Sequence, residues 1–243
     1  MVRLLPFLNA DGPTQMACDE ALLESATVTT LRLYRWAPAT VSLGYFQDYS
    51  NIVRHLPPAM PIVRRITGGG AIWHEHEVTY CLVGVLGQDG WPERVRDCYP
   101  LFHGAVQIAL RHGGAPLRRQ PDSIGDRRYR DEPRCFASPA VDDLVAEQGG
   151  KVLGSAGRVR GQRVLIHGSL KLASNPWDGE AVSGCGLTFS AASSLLQVAL
   201  PAAVGSTAED GTWTTEEMTA RQRIMHVRYG DDAWVAHRRG PRP

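Results

Sequence analysis

The sequence predicts a single α+β domain with mixed or antiparallel sheets flanked by helices, and three observations carry that prediction. A length of 243 residues suits one sizeable core. Apolar residues recur with strand periodicity in several runs and with helical periodicity in others. No internal repeat, low-complexity segment or linker separates these runs, so one domain is expected over residues 1–243.

Residues 3–8 read as a short strand. DGPTQMACDEALLESA follows as a helix, with Pro13 suited to the first turn and Asp19 and Glu20 early in it. LRLYRW and VSLGYF alternate as strands, LPPAMP is a loop, and PIVRRI leads into three consecutive glycines. AIWHEHEVTYCLVGV reads most simply as one strand, with Ile72, His74 and His76 on one face and Trp73, Glu75 and Glu77 on the other. Residues 92–112 carry a helical pattern through Val95, Phe102, Val106 and Leu110, with Pro100 a candidate kink and Gly113 and Gly114 its end.

Residues 115–140 are rich in Arg, Asp and Pro and read as a long loop, a feature uncommon unless functional or disordered. KVLGSAGRV and RVLIHGSLKL form two strands joined by a turn at RGQ. In the second, Val164, Ile166, Leu170 and Leu172 share one face, while His167, Ser169 and Lys171 share the other. The tail, 214–239, is read as a helix followed by a short strand, YGDDAWVAHRR.

Hydrophobic content of 43%, charged content of 21% and a net charge of +1 describe an ordinary soluble protein. No basic block points to nucleic acid, and no apolar run approaches membrane-spanning length. The N-terminus, MVRLLPFLNADG, turns polar too soon for a signal peptide. The five cysteines are odd in number and widely spaced, so reduced thiols in the cytoplasm are expected. A monomer is also expected. Cys18 and Cys98 fall in expected helices and read as packing residues. Nearly every basic residue is arginine; Lys151 and Lys171 are the only lysines. Lysine, unlike arginine, can be deprotonated, so each of the two invites a question.

The stretch RRITGGGAIWH raises another. GGG followed by AIWH lacks the Lys-Ser/Thr of a P-loop and does not fit GxGxxG. Three glycines offer either a tight turn or close approach of backbone N–H groups to a ligand. Paired histidines in HEHE lack a third ligand at metal-site spacing, so no metal is assigned. Lys151 begins KVLGSAGR, in which Gly154 and Ser155 again expose backbone and a hydroxyl.

Four co-linear blocks, DGPxxMAxDEALL, RRxTGGGAIxHxxEVTY, KVLGSAxR and IHGSL, resemble the biotin/lipoate A/B protein ligase family across about residues 7–172. Within it the similarity is to the ligase-like octanoyltransferases and the lipoate–protein ligases. The resemblance implies a biotin/lipoyl protein ligase-type catalytic domain. It also implies that Arg65, Thr67, Gly68, Gly69 and Gly70 wrap the carboxyl end of a medium-chain acyl group. Lys151 would point at the reacting carbonyl, with Gly154, Ser155 and Ala156 beside it. His74, His167 and Gly168 would shape the pocket.

A ligase activates a free acid with ATP and Mg, whereas a transferase starts from a thioester, needs no cofactor, and requires a nucleophilic cysteine. The chain ends too soon after IHGSL for a large second domain. Cys135, in RCFASPAVDDLV, resembles the Cys-Phe element of the ligase-like octanoyltransferases. Cys185, in SGCGLTF, resembles the Cys-Gly nucleophile element of the other octanoyltransferase branch. The surrounding blocks favour Cys135. The resemblance therefore implies transfer of an octanoyl group from acyl carrier protein to a lysine of a lipoyl domain, in the glycine cleavage H protein or a 2-oxoacid dehydrogenase E2. Lys151 is expected to favour the thiolate, with backbone N–H groups near Gly69, Gly70 and Ser155 steadying the oxyanion. An apolar slot lined by Trp73, Val78 and Leu153 is expected to select chain length, and the arginines of 118–130 are read as a docking or gating segment. An ATP-dependent lipoate–protein ligase, an octanoyl or lipoyl amidotransferase, and a non-catalytic acyl-binding module stay open as alternatives.

Overall fold

The computed structural model describes residues 1–126 and 128–239. The expectations for Arg127, in the arginine-rich loop, and for residues 240–243, at the end of the expected domain, lie outside the described residues.

The chain opens with β1 (Val2–Leu4) and β2 (Leu8–Ala10), so the strand expected over 3–8 is split around Pro6. Helix α1 (Gly12–Ser25) begins as expected, with Asp11 accepting from the Thr14 N–H and Pro13 in the first turn. Strands β3 (Thr30–Trp36) and β4 (Thr40–Leu43) are followed by a short helix, α2 (Tyr49–Val53), and β5 (Ile62–Arg64).

The run expected as one strand is two, β6 (Ile72–His74) and β7 (Glu77–Val85). His76 takes φ +50° between them, so the chain turns from one sheet into another. His74 is consequently buried while His76 is exposed, and the shared face expected for Ile72, His74 and His76 does not persist beyond His74.

Helix α3 (Val95–His112) runs through Pro100, with Phe102, Val106 and Leu110 buried as expected. Strands β8 (Arg118–Arg119) and β9 (Leu144–Val145) bracket the long loop. The hairpin of β10 (Lys151–Arg160) and β11 (Arg163–Lys171) forms where expected. Helix α4 (Phe189–Ala203), capped by Thr188, was not expected. Strand β12 (Ala208–Asp210), helix α5 (Thr215–Ile224) with its Thr214–Glu217 capping box, a π-helical turn (Met225–Tyr229) and α6 (Asp232–His237) complete the chain. The tail segment expected as a strand is therefore helical. Asp231 caps it and buried Trp234 donates to the Arg64 carbonyl at 2.9 Å, anchoring it on β5.

Among the described residues one large mixed sheet has the order β12-β1-β3-β7-β11-β10-β9-β8, with β2 paired to β3, and a small sheet has the order β5-β4-β6. The central strand β7 alternates between two cores. Val78, Tyr80 and Leu82 meet the core under α3 and α4, whereas Cys81 and Val83 meet the one under α1, α5 and α6. Cys18 and Cys98 are buried in their helices, as expected of packing residues. No helix among the described residues is long and apolar enough to cross a membrane. The expected α+β domain, with mixed sheets flanked by helices, is observed.

Candidate active site

A cavity lies between the two sheets, with about 550 Å³ of empty space counting the open solvent at its mouth. From the small sheet and the loop after it come Ser42, Arg65, Gly69 and His74. From the large sheet come Lys151, Gly154, Ser155 and Ala156 on β10, with His167 and Gly168 on β11. The long loop delivers Tyr129 and Cys135 to the same space.

Lys151 is 2% exposed, so its ammonium needs a partner within the protein. It ion-pairs with Asp143 at 2.7 Å and points at Cys135 Sγ, 3.6 Å away. Burial works against its charge, but the Asp143 carboxylate and the facing sulfur outweigh it and hold the pKa above the ordinary lysine value. Gly154 makes this possible, since a Cβ there would lie 2.3 Å from Lys151 Cε and 2.5 Å from Nζ. Gly70 makes the sulfur's approach possible. A Cβ on it would lie 2.7 Å from the Cys135 backbone nitrogen and 2.5 Å from the Tyr129 ring. The Cys135 N–H donates to the Ala71 carbonyl at 2.8 Å, pinning the loop onto the glycine segment.

The next residue, Phe136, is 1% exposed, and the ammonium groups of Lys151 and Lys171 lie 5.0 and 5.1 Å from its ring centre. Both lysines of the protein thus face one aromatic ring, which seats the cysteine between Lys151 and the glycines.

Arg65 is spent inside the glycine loop. Its Nε donates to Thr67 Oγ1, Nη1 to the Ser42 carbonyl and Oγ, and Nη2 to the Gly68 and Gly70 carbonyls, at 2.7–3.2 Å. The guanidinium carries five N–H donors, so this set occupies all of them. The two hydroxyls that accept from Arg65 each meet a histidine. Ser42 Oγ lies 2.7 Å from His74 Nε2, and Thr67 Oγ1 lies 2.7 Å from His167 Nε2.

Each imidazole then donates from Nδ1 to a carboxylate, Glu77 at 2.7 Å and Asp19 at 2.9 Å. A carboxylate only accepts, which makes Nε2 of a neutral ring the acceptor from the hydroxyl. Glu77 is held in turn by Lys171, Thr79 and Ser169, and Asp19 by Arg32 and Tyr34. Burial raises both acids, but Lys171 and His74 keep Glu77 well below the carboxylate range, and Arg32 and His167 keep Asp19 low. Ser155 Oγ sits between His103 Nε2 at 2.7 Å and the Tyr80 hydroxyl at 2.6 Å.

Burial lowers His74 to about 4, against the pull of Glu77, and lowers His103 as well. A folded pKa below the unfolded 6.5 means the unfolded chain takes up the proton first. The contribution is full above pH 6.5 and is lost as pH falls towards 4, amounting to about 3 kcal/mol. Thermal melts between pH 7 and 4 are expected to show a falling Tm whose slope His74→Gln flattens; an unchanged slope in that variant would place the effect elsewhere.

Among the expected residues, Thr67, Gly68 and Gly70 join the site through Arg65, and the others above line it. Cys185 does not. It lies outside the cavity lining, with its N–H donated to the Lys171 carbonyl at 2.9 Å and its side chain against the core under α3 and α4, where burial pushes the thiol up. The expected acyl slot is also corrected. Val78 and Leu153 belong to that same core and Trp73 to the small-sheet core, because strand alternation turns Thr79 and Gly154 towards the cavity instead. Met16, Tyr34, Trp36 and Ile72 supply the apolar lining.

In the arginine-rich loop, Arg119 pairs with Asp142, while Arg128 and Arg130 are exposed. Asp19 is not an early-turn charge but a buried mid-helix acid facing the site. Asp143, Ser42, Glu77 and Trp36 were not anticipated as site residues. Only Glu77 carried a signal, an acid heading an otherwise apolar strand.

Known proteins resemble this chain in sequence and in fold. The lipoyl protein ligase A/B catalytic domain family matches residues 11–199. The octanoyltransferase LipM of Moorella thermoacetica is 36% identical over 187 residues, covering 74% of this chain and 68% of that one. The LipM of Kyrpidia tusciae is 29% identical, with 96% and 97% covered. Among solved structures, a bi-partite lipoate protein ligase from Thermoplasma acidophilum, described with its E2 lipoyl domain, superposes with a TM-score of 0.77 at 19% identity, covering 96% of this chain and 95% of that one.

Proposed function

The chain belongs to the lipoyl protein ligase A/B catalytic domain family, and on that premise we propose that it is an octanoyltransferase of protein lipoylation. It takes the octanoyl group from acyl carrier protein onto Cys135 and passes it to a lysine of a lipoyl domain. The reading is supported by its likeness to the octanoyltransferases LipM. Its single carrying observation is the Cys135 sulfur 3.6 Å from a buried, Asp143-paired ammonium at the wall of the cavity.

The Cys135 thiolate attacks the thioester carbonyl carbon, and the carrier's thiolate leaves and takes up a proton. Lys151 stays charged throughout. It steadies the thiolate before attack and the oxyanion after it, from a buried position. The ε-amine of the acceptor lysine then attacks the Cys135 thioester. An amide forms, the amine loses a proton, and the Cys135 thiolate returns. Thioester to amide is downhill, so no ATP enters the cycle. The acceptor domain of the glycine cleavage H protein or of an E2 supplies the lysine. The Thermoplasma ligase is described with an E2 lipoyl domain, so the same fold is found alongside such a partner.

Intact-mass analysis after incubation with octanoyl-acyl carrier protein tests this. A hydroxylamine-sensitive octanoyl adduct is expected on the wild type and on Cys185→Ala, and none on Cys135→Ala. An adduct that survives Cys135→Ala would move the nucleophile. Absence of any wild-type adduct, together with ATP-dependent attachment of free lipoate, would make the protein a ligase.

A further inference from the structure

Trp36 and His74 line the reaction cavity, and the same two residues line a second pocket. That second pocket is bordered by Arg35, Glu75 and His76 and is polar, whereas the cavity approaching Trp36 is apolar through Met16, Tyr34 and Ile72. The two side chains therefore stand between the reaction cavity and a polar pocket.

The partition is rigidly built. The indole stacks on the imidazole with ring centres 3.8 Å apart and planes 13° from parallel. Its Nε1–H donates to Thr79 Oγ1 at 2.8 Å, and Thr79 donates to the Glu77 carboxylate that also receives His74 Nδ1–H. Tyr34 supports the other side, its ring centre 5.8 Å from the indole. Stack and hydrogen bonds lock the wall into one rotamer set.

Its position suits a length gauge. From Lys151 on β10 to Trp36 at the end of β3 the cavity crosses β11 and β7. Three interstrand spacings amount to about 14 Å. Three extended single bonds advance about 3.5 Å, so an eight-carbon chain held on a sulfur beside Lys151 reaches about 10 Å. With the sulfur's own bonds included, such a chain is comparable in length to that width.

We propose that the Trp36–His74 stack is the chain-length stop of the acyl pocket, a specificity-determining wall that ends apolar burial at a medium-length chain; this rests on the acyl-transfer reading above. Carbons beyond the wall would enter a polar, hydrated pocket and gain nothing from burial. Carbons before it each gain severalfold in affinity. Removing the indole merges the two pockets and lets the chain run on.

Calorimetric titration of the full chain with free saturated acids, from octanoate to tetradecanoate, reads the wall without any transfer step. In the wild type, affinity is expected to peak at octanoate. In Trp36→Ala the optimum moves to a longer acid, and the dodecanoate-to-octanoate affinity ratio rises by about tenfold or more. Trp36→Phe keeps a stacking ring and the wild-type profile; Trp36→Leu moves the ratio in the same direction as alanine and serves if the alanine variant melts. The proposal is overturned if alanine and leucine variants keep the wild-type ratio, or if the wild type binds dodecanoate as tightly as octanoate, or binds none of the acids. Failure of the transfer reading looks different: no thioester on Cys135, with the wild-type binding peak intact.

Discussion

Lys151→Met is expected to slow formation of the octanoyl-enzyme by about two to three orders of magnitude, the usual cost of removing one preorganised charge from a reacting oxyanion. Methionine retains most of the side-chain volume beside Gly154, so packing is largely kept while the ammonium is lost. The variant also strands the Asp143 carboxylate, which is 4% exposed and ion-paired to Lys151 at 2.7 Å. An uncompensated buried charge destabilises by about 3–5 kcal/mol. Adding Asp143→Asn separates the two effects. The double variant is expected to regain thermal stability while acylation stays slow, as followed by quenched intact-mass time courses and thermal melts. Wild-type acylation rates in Lys151→Met would remove the cation from the mechanism.

The second large effect concerns the other lysine. Lys171 is fully buried and donates to the Trp73 carbonyl and to Glu77, tying β6 to the end of β11 across the turn at His76. Lys171→Met leaves the Glu77 carboxylate without its cation, again at about 3–5 kcal/mol, and a Tm lower by roughly 10 °C is expected.

The pH dependence has a definite sign. Glu77 in the folded protein sits below its ordinary 4.5, so its stabilisation is present above pH 4.5 and is lost as pH falls below it. Without Lys171 that depression shrinks, so less stability is lost as pH falls below 4.5 and the acid side of the curve is shallower. Glu77→Gln in the Lys171→Met background is expected to recover part of the Tm and to flatten the acid side. A Tm within a degree or two of wild type in Lys171→Met would mean the pair contributes little.

Much of the fold was legible because local signals agreed with it. Asp11 and Pro13 announce α1, RGQ between two alternating runs announces the β10–β11 hairpin, and Phe102, Val106 and Leu110 announce α3. The misreadings have physical causes. Residues 71–85 alternate without interruption, and only the positive φ at His76, which no residue type there demands, divides them between two sheets. The segment around Trp234 is short and apolar enough to fit either period, and its helix is set by the Asp231 cap and by docking on Arg64. Helix α4 did carry a readable signal, Thr188 followed by buried Ala192, Leu196, Ala199 and Leu200 at helical spacing.

By itself the sequence determined the family, the order of the glycine, lysine and histidine blocks, and the two faces of β11, because those are properties of adjacent residues and their periodicity. It left two cysteines in contention, each with a plausible local setting. Only the tertiary structure brought Cys135 to Lys151 and left Cys185 against the core. It also drew Asp143 under the ammonium, gave His167 its partner in Asp19, and set Trp36 against His74 at the end of the cavity. The Asp19–His167 and Trp36–His74 contacts join residues far apart in the chain, and the Cys135–Lys151 contact depends on how the long loop folds back onto the glycine segment; strand order and loop path place them, and no local stretch encodes either.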